Sequence, residues 1–249
     1  MPLSLPTVCV HGLDYLDLSP EQLRVHLAVY LRTQRNLAVF TPNATIGAAC
    51  RKDAALASLV RQAELLLPDG AGVVLASRLA CPTHPLRYQL PGIETGEVVL
   101  RLCEELGLSV YFLGGRPGVA KEAAMTWKGR LPHLRVAGTH DGYFEKTGDE
   151  NAAVVRDVAA SGADVVLVCL GFPMQERWIA DNRSSLPSVR LFMGLGGSFD
   201  VWSGRIRRAP SPIRRAHLEW LWRMLAEPRR FGTLFSMLRY VFSAPIRGK

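Results

Sequence analysis

The 249-residue chain has no cysteine pair at C-x-x-C spacing and no two histidines at H-x-x-x-H or H-E-x-x-H spacing. Those absences exclude the usual zinc and dithiol motifs, and no bound catalytic metal is expected. Its five cysteines, Cys9, Cys50, Cys81, Cys103 and Cys169, are odd in number and widely spaced, which fits a reducing cytoplasm better than a disulfide framework. No apolar run approaches the ~20 residues that span a bilayer, so membrane contact should be peripheral. The first residues, MPLSLPTVCVHGLDYL, lack a basic n-region and a continuous apolar h-region, and no secretion signal is expected. Also missing are G-x-x-x-x-G-K-[ST] and a full G-x-G-x-x-G, the signatures of phosphate-binding loops and dinucleotide folds. There is no solenoid-period repeat.

Charge is balanced over residues 1–203, with 19 basic and 20 acidic side chains, whereas residues 204–249 hold 11 basic and only two acidic ones, Glu219 and Glu227. The whole positive excess is therefore local. Residues 205–220, RIRRAPSPIRRAHLEW, read as a basic loop entering a helix over 213–225, with Arg215, Glu219 and Arg223 at i, i+4 spacing on one face. Pro228 suits the first turn of a second helix. In it Phe231, Leu234, Phe235, Leu238, Val241 and Phe242 form an apolar stripe.

Such a tail has three uses. It could follow nucleic-acid phosphates and stack bases, in a basic-tailed binding protein without transferase activity. It could pack on the body or on a second copy in a homo-oligomer. It could also lie on an anionic membrane surface, which an amphipathic helix with basic charge supports. A one-sided stripe favours burial or lipid over base stacking, so no nucleic-acid partner is expected.

Residues 36–40, 64–67, 109–113, 134–137, 164–170 and 189–193 are short apolar runs that read as strands. Helical patterns at 45–62, 117–130, 149–161 and 173–182 alternate with them. That alternation predicts an α/β fold with a mostly parallel sheet, helices on both faces and right-handed crossovers. Residues 1–203 are expected to form this domain, with 204–249 as a helical, membrane-associating appendage.

In open α/β sheets ligands gather beyond the carboxyl ends of the strands. There this chain carries Thr41-Pro42-Asn43, Pro68-Asp69-Gly70, Gly114-Gly115, the stretch GFPMQE ending in Gln175 and Glu176, and GLGGSFD with Gly196, Gly197 and Asp200. Asp69 has two readings, a helix N-cap or a general base that takes a proton from an acceptor hydroxyl. Gly114-Gly115 and Gly196-Gly197 are turns, or loops that aim backbone N–H groups at phosphates. Gln175 and Glu176, in the first turn of a helix opened by Pro173, suit capping and the helix dipole as well as function.

In this order and spacing the clusters resemble the WecG/TagA/CpsF glycosyltransferases (family 26). The matching stretches are TPN (41–43), LLLPDGAGVVLAS (65–77), FLGG (112–115), DGYF (141–144), LGFPMQERWI (170–179), GLGGSFDVWSGRIRRAP (194–210) and HLEWLWRMLAEPRR (217–230). The resemblance implies a Rossmann-like body and inverting, metal-independent transfer of an N-acetylmannosamine-type or glucose-type hexose. The donor would be a UDP-sugar, with no further cofactor, and the acceptor a sugar on undecaprenyl diphosphate, at the cytoplasmic face of the membrane. It makes Asp69 the base, with Thr41, Asn43 and Gln175 lining the pocket. Gly114, Gly115, Tyr143, Glu176, Gly196, Gly197 and Asp200 would lie near the donor. Arg207, Arg208, Arg214, Arg215 and Arg223 would meet diphosphate. Where the family has an Arg followed by G-x-D, this chain reads PLRYQLPGIE (85–94). Gln89 stands in the place of the Arg and Glu94 in that of the Asp, which leaves Arg87 as the candidate replacement charge.

Overall fold

A computed structural model of the chain describes residues 5–33, 36–210, 212–213, 222 and 231–243. Six parallel strands form the central sheet: β3 (Leu37–Phe40), β4 (Leu65–Leu66), β5 (Ser109–Gly114), β6 (Arg135–His140), β7 (Val165–Cys169) and β8 (Leu191–Gly194). Their order is β4-β3-β8-β7-β5-β6. All six expected strands form, because β3, β5, β7 and β8 are buried along their whole length and so read as continuous apolar runs.

Alternate strand residues feed two apolar layers. Phe40, Tyr111, Leu113, Val166, Val168 and Phe192 face one side. Val39, Phe112, Val165, Leu167, Leu191 and Met193 face the other. The first layer is covered by α2 (Ala44–Lys52), α3 (Ala54–Val60), α4 (Ala71–Ala80), α7 (Gly148–Ala160) and α8 (Met174–Asn182). The second is covered by α1 (Pro20–Thr33), α5 (Gly92–Leu106), α6 (Val119–Arg130) and α9 (Ser198–Trp202). Helices therefore lie on both faces, as expected for a doubly wound sheet.

The pattern expected as one helix over 45–62 is two. Asp53 ends α2 and caps α3, its Oδ1 accepting from the N–H groups of Ala55 (2.8 Å) and Leu56 (3.2 Å). A side chain able to satisfy two orphan N–H groups makes a new helix start there favourable, and periodicity across 45–62 hides the break. An antiparallel hairpin, β1 (Thr7–Val10) and β2 (Leu13–Leu16), also precedes the sheet. His11 and Gly12 make its two-residue turn at φ of 53° and 87°, the left-handed pair that suits a tight hairpin. Ahead of α1, Ser19 and Gln22 bond reciprocally as a capping box.

The last described helix, α10 (Phe231–Phe242), packs on α2 and α4. The expected apolar stripe divides. Val241 enters the body core together with Tyr240, while Phe235, Leu238 and Phe242 stay exposed. Gly47 of α2 makes room for this docking, since a Cβ there would sit 2.6 Å from the Tyr240 ring. The inner end of α10 is clasped at the hairpin turn. His11 Nε2 donates to the Tyr240 carbonyl (3.0 Å), and Arg51 donates to both His11 Nδ1 (2.8 Å) and Ser243 Oγ (2.6 Å). Those contacts assign the neutral tautomer of His11, and burial beside Arg51 lowers its pKa. The helix expected over 213–225, with Glu219, and Pro228 at the next helix start lie outside the described residues, as do the side chains of Phe231 and Leu234. No described helix is long and apolar enough to cross a membrane.

Candidate active site at the carboxyl edge

The helices after β5 and β7 lead toward opposite edges of the sheet, so a crevice opens between the carboxyl ends of those two strands. The candidate residues lie along this edge on consecutive loops. Beyond β3 and β4 the parallel pairing continues as one further bridge, Asn43 to Asp69. It sets the two side by side past the ends of the strands. Asn43 caps α2, its Oδ1 accepting from the N–H groups of Thr45 (3.0 Å) and Ile46 (3.1 Å). Asp69 does not act as the cap of α4. Gly70, at φ 85°, occupies that position and leaves the Asp69 carboxylate outside the helix. Thr41 is buried against Gly92 at the start of α5, where a Cβ would lie 2.7 Å from Thr41 Oγ1.

The next loops are tied to one another by Gln175. Its Oε1 accepts from the Gly196 N–H (2.8 Å) and its Nε2 donates to Glu176 Oε1 (2.9 Å). Gly194 is needed for this approach, since a Cβ there would stand 2.9 Å from Gln175 Nε2. Neither side chain caps α8, whose N-cap is Pro173. Glu176 is 2% exposed and its Oε2 has no hydrogen-bond partner among the described residues. Burial pushes this carboxyl up to about 7, against hydrogen bonds from Gln175 and its own backbone that favour the charged form.

At the far end of the crevice Gly114, at φ 125°, comes so close to β7 that a Cβ would lie 2.3 Å from the Cys169 carbonyl oxygen. The Gly115 N–H donates to that oxygen (2.9 Å), and the Gly142 N–H to the Gly115 oxygen (2.8 Å). The loop carrying Tyr143 is held from within. Asp141 Oδ1 accepts the Tyr143 N–H (2.8 Å), and Lys146 donates to the Gly142 carbonyl (2.8 Å) and to that of Phe144. Tyr143 itself is left 70% exposed. A cavity of about 240 Å³ beside it is lined by Gly118, Ala120, Lys121, Thr139, His140 and Asp141.

Arg87 lies on the loop before α5 and is engaged by Asp17, with Nε 2.8 Å from Oδ2 and its backbone N–H 2.9 Å from Oδ1. Arg208 bonds Glu94 (2.6 Å) at the start of α5, and Arg205 grips Glu122 of α6 through two bonds of 2.8 and 2.7 Å. Arg207 is exposed at the rim of a cleft of about 540 Å³ that also includes Arg130, Trp202 and Glu97. Gly197 is exposed and Asp200 lies half-buried in α9. Arg214, Arg215 and Arg223 lie outside the described residues. Among the described residues no three His, Cys, Asp or Glu side chains gather in a way that could hold a metal ion.

Sequence reasoning missed Gly92, Gly142, Lys146 and Asp17. Gly92 and Gly142 lie inside the PLRYQLPGIE and DGYF stretches, and Lys146 acts only on carbonyls two and four residues away; Asp17 shows its role through a contact distant in sequence.

The profile of the WecG/TagA/CpsF glycosyl transferase family matches residues 8–247. Two curated relatives are similar over almost the whole chain. An N-acetylglucosaminyldiphosphoundecaprenol N-acetyl-beta-D-mannosaminyltransferase of Bacillus spizizenii is 33% identical over 238 residues, 95% of this chain and 90% of its own length. The enzyme of the same name from Bacillus subtilis is 30% identical over 240 residues, 96% of this chain and 91% of its own.

Proposed function

The chain belongs to the WecG/TagA/CpsF family of glycosyl transferases, and from that membership we propose that it moves a hexose from a UDP-sugar to a sugar carried on undecaprenyl diphosphate. The transfer inverts the anomeric centre and needs no metal. The relatives' names favour an N-acetylmannosamine-type donor and an N-acetylglucosaminyl acceptor; a glucose-type donor is the alternative.

The observation that carries the reading is the Asn43–Asp69 pairing past the strand ends. It sets a carboxylate at the carboxyl edge, next to a capped helix start and in line with the glycine loops. From β4 to β5 the edge runs four strand spacings, roughly 19 Å at ~4.8 Å each. That length accommodates a sugar at Asp69, a diphosphate over the Gly194 to Gly197 loop and a nucleoside toward Tyr143 and the adjoining cavity. Asp69 takes the proton of the acceptor hydroxyl as its oxygen bonds to the anomeric carbon. The bond to UDP breaks on the opposite face, and its electron pair leaves with the diphosphate. Loop dipoles fixed in place before the reaction stabilise that leaving charge without rearranging. The N–H groups of Leu195 and Gly196 are engaged by Val168 and Gln175, which leaves the Gly197 N–H as the loop's candidate donor. Arg205 is held by Glu122, which leaves Arg207 as the next exposed cation along the chain.

The test is incubation of the protein with individual radiolabelled UDP-sugars and lipid-linked N-acetylglucosamine, read by product mass. One UDP-sugar should yield a lipid product, with turnover unchanged in excess EDTA. Metal-dependent turnover would end the metal-free mechanism, and no product with any donor would end the assignment.

The same reading brings the protein to the cytoplasmic face of the membrane as a peripheral enzyme. Phe235, Leu238 and Phe242 share one exposed face of α10, suited to the interfacial region of a bilayer. Changing Phe235 and Phe242 together to Ser should reduce co-sedimentation with anionic vesicles at least several-fold, while melting changes little because both rings already face solvent. Undiminished vesicle binding would move the contact elsewhere.

A further inference from the structure

Gln175 and Glu176 are adjacent, buried and joined, yet only the first reaches the glycine loop. The Gln175 amide has one end on the Gly196 N–H and the other on Glu176. An amide can turn end for end, and nothing in Gln175 itself fixes which atom faces Gly196. The Gly196 N–H and Glu176 fix it together: the N–H takes the amide oxygen, and a carboxylate or carboxyl oxygen at Glu176 Oε1 accepts the Nε2–H bond and holds the amide in place. Were the amide reversed, two N–H groups would meet at Gly196, and the amide oxygen would face an oxygen of Glu176. With its oxygens shielded from solvent, Glu176 is unsuited to touching a ligand in the crevice.

We propose that Glu176 is a positioning residue that acts through Gln175: with the Gly196 N–H held by Gln175 and the Leu195 N–H by the Val168 carbonyl, it fixes residues 194–197 in the shape in which the exposed Gly197 end of the loop meets the donor diphosphate. This rests on the reading of the site as a UDP-sugar transferase. It also requires Gly194 to lack a side chain, as the 2.9 Å approach of Gln175 Nε2 demands. An amide in place of the carboxyl keeps an acceptor oxygen at the same point, so the arrangement survives Glu176→Gln and is lost in Glu176→Ala.

The full-length wild type, Glu176→Gln and Glu176→Ala should be compared by calorimetric titration with UDP and by hydrogen exchange of the peptide spanning 194–197 without ligand. Glu176→Ala is expected to weaken UDP binding at least ten-fold and to speed exchange in that peptide, with the remaining strands protected as in wild type. Glu176→Gln should restore both to within about two- or three-fold. Unchanged exchange and affinity in a folded Glu176→Ala would overturn the proposal. So would a Glu176→Gln protein as impaired as the Ala variant, since that would mean a direct role for the charge. If Glu176→Ala does not fold, the Gln variant alone decides, because normal affinity and exchange are required of it. If the wild type binds no UDP while exchange follows the expected pattern, the brace stands and the transferase reading of the site falls.

Discussion

Replacing Asp69 by Asn is expected to lower turnover by roughly 10²- to 10⁴-fold, the usual contribution of a well-placed general base, while UDP affinity stays within a few-fold of wild type. Geometry separates these two effects. Asp69 sits past the end of β4, paired by backbone with Asn43, and does not cap α4, whose start is formed by Gly70. No helix N-terminus is lost when the carboxylate goes, and the backbone bridge to Asn43 does not depend on the side chain. An isosteric amide keeps the space filled and removes the charge together with the ability to take a proton. Initial rates with labelled donor, set beside a melting curve of the same sample, check the expectation. A folded Asp69→Asn with near-normal turnover would remove Asp69 from the chemistry.

The second large effect lies behind the crevice and depends on pH. Glu176 titrates near 7 in the folded protein against an ordinary value of 4.5, chiefly because burial disfavours its charge. The folded state therefore holds a proton that the unfolded chain has already released, and stability falls as pH rises from about 4.5 through 7, then levels. A gap of this size corresponds to at most about 3 kcal/mol. Glu176→Gln carries no titrating proton, so it should match wild type near pH 4 and exceed it increasingly toward pH 8. For a chain of this length that advantage is several degrees in Tm. Denaturant or thermal melts of both proteins across this range provide the measurement. A difference that stays flat with pH, or grows toward acid, would mean that the carboxyl is charged when folded.

The central sheet was legible because strands buried on both sides leave uninterrupted apolar runs, such as VVLVC in β7 and LFMG in β8. The hairpin was not, since its turn uses His11 in a left-handed conformation in place of the Asn-Gly pair that signals such turns. The break at Asp53 hid within a helical periodicity that continues across it. In α10 the apolar spacing was correct but not its direction. Tyr240 and Val241 turn inward while Phe235 and Phe242 turn outward, because what decides the face is the space opposite Gly47, contributed by residues almost two hundred positions away. For the site, loop positions after strands singled out Asp69, Asn43 and Gln175 as candidates, and the family resemblance supplied the roles expected of them. That Asn43 and Asp69 are bridge partners, or that Gln175 reaches Gly196, is a matter of neighbouring strands and has no trace in local sequence.

The docking of α10 bears on how deletions of the C-terminus should be read. Tyr240 and Val241 belong to the same apolar layer as Val73, Ala44 and Phe40, and burying two such side chains contributes about 1.5–3 kcal/mol each. Cutting the chain near residue 203 therefore opens a wound in the body beside α2 and α4, the helices that begin at Asn43 and just beyond Asp69. An inactive truncated protein would report that injury together with any loss of arginines, whereas single Arg→Gln changes leave the layer intact and isolate the charge.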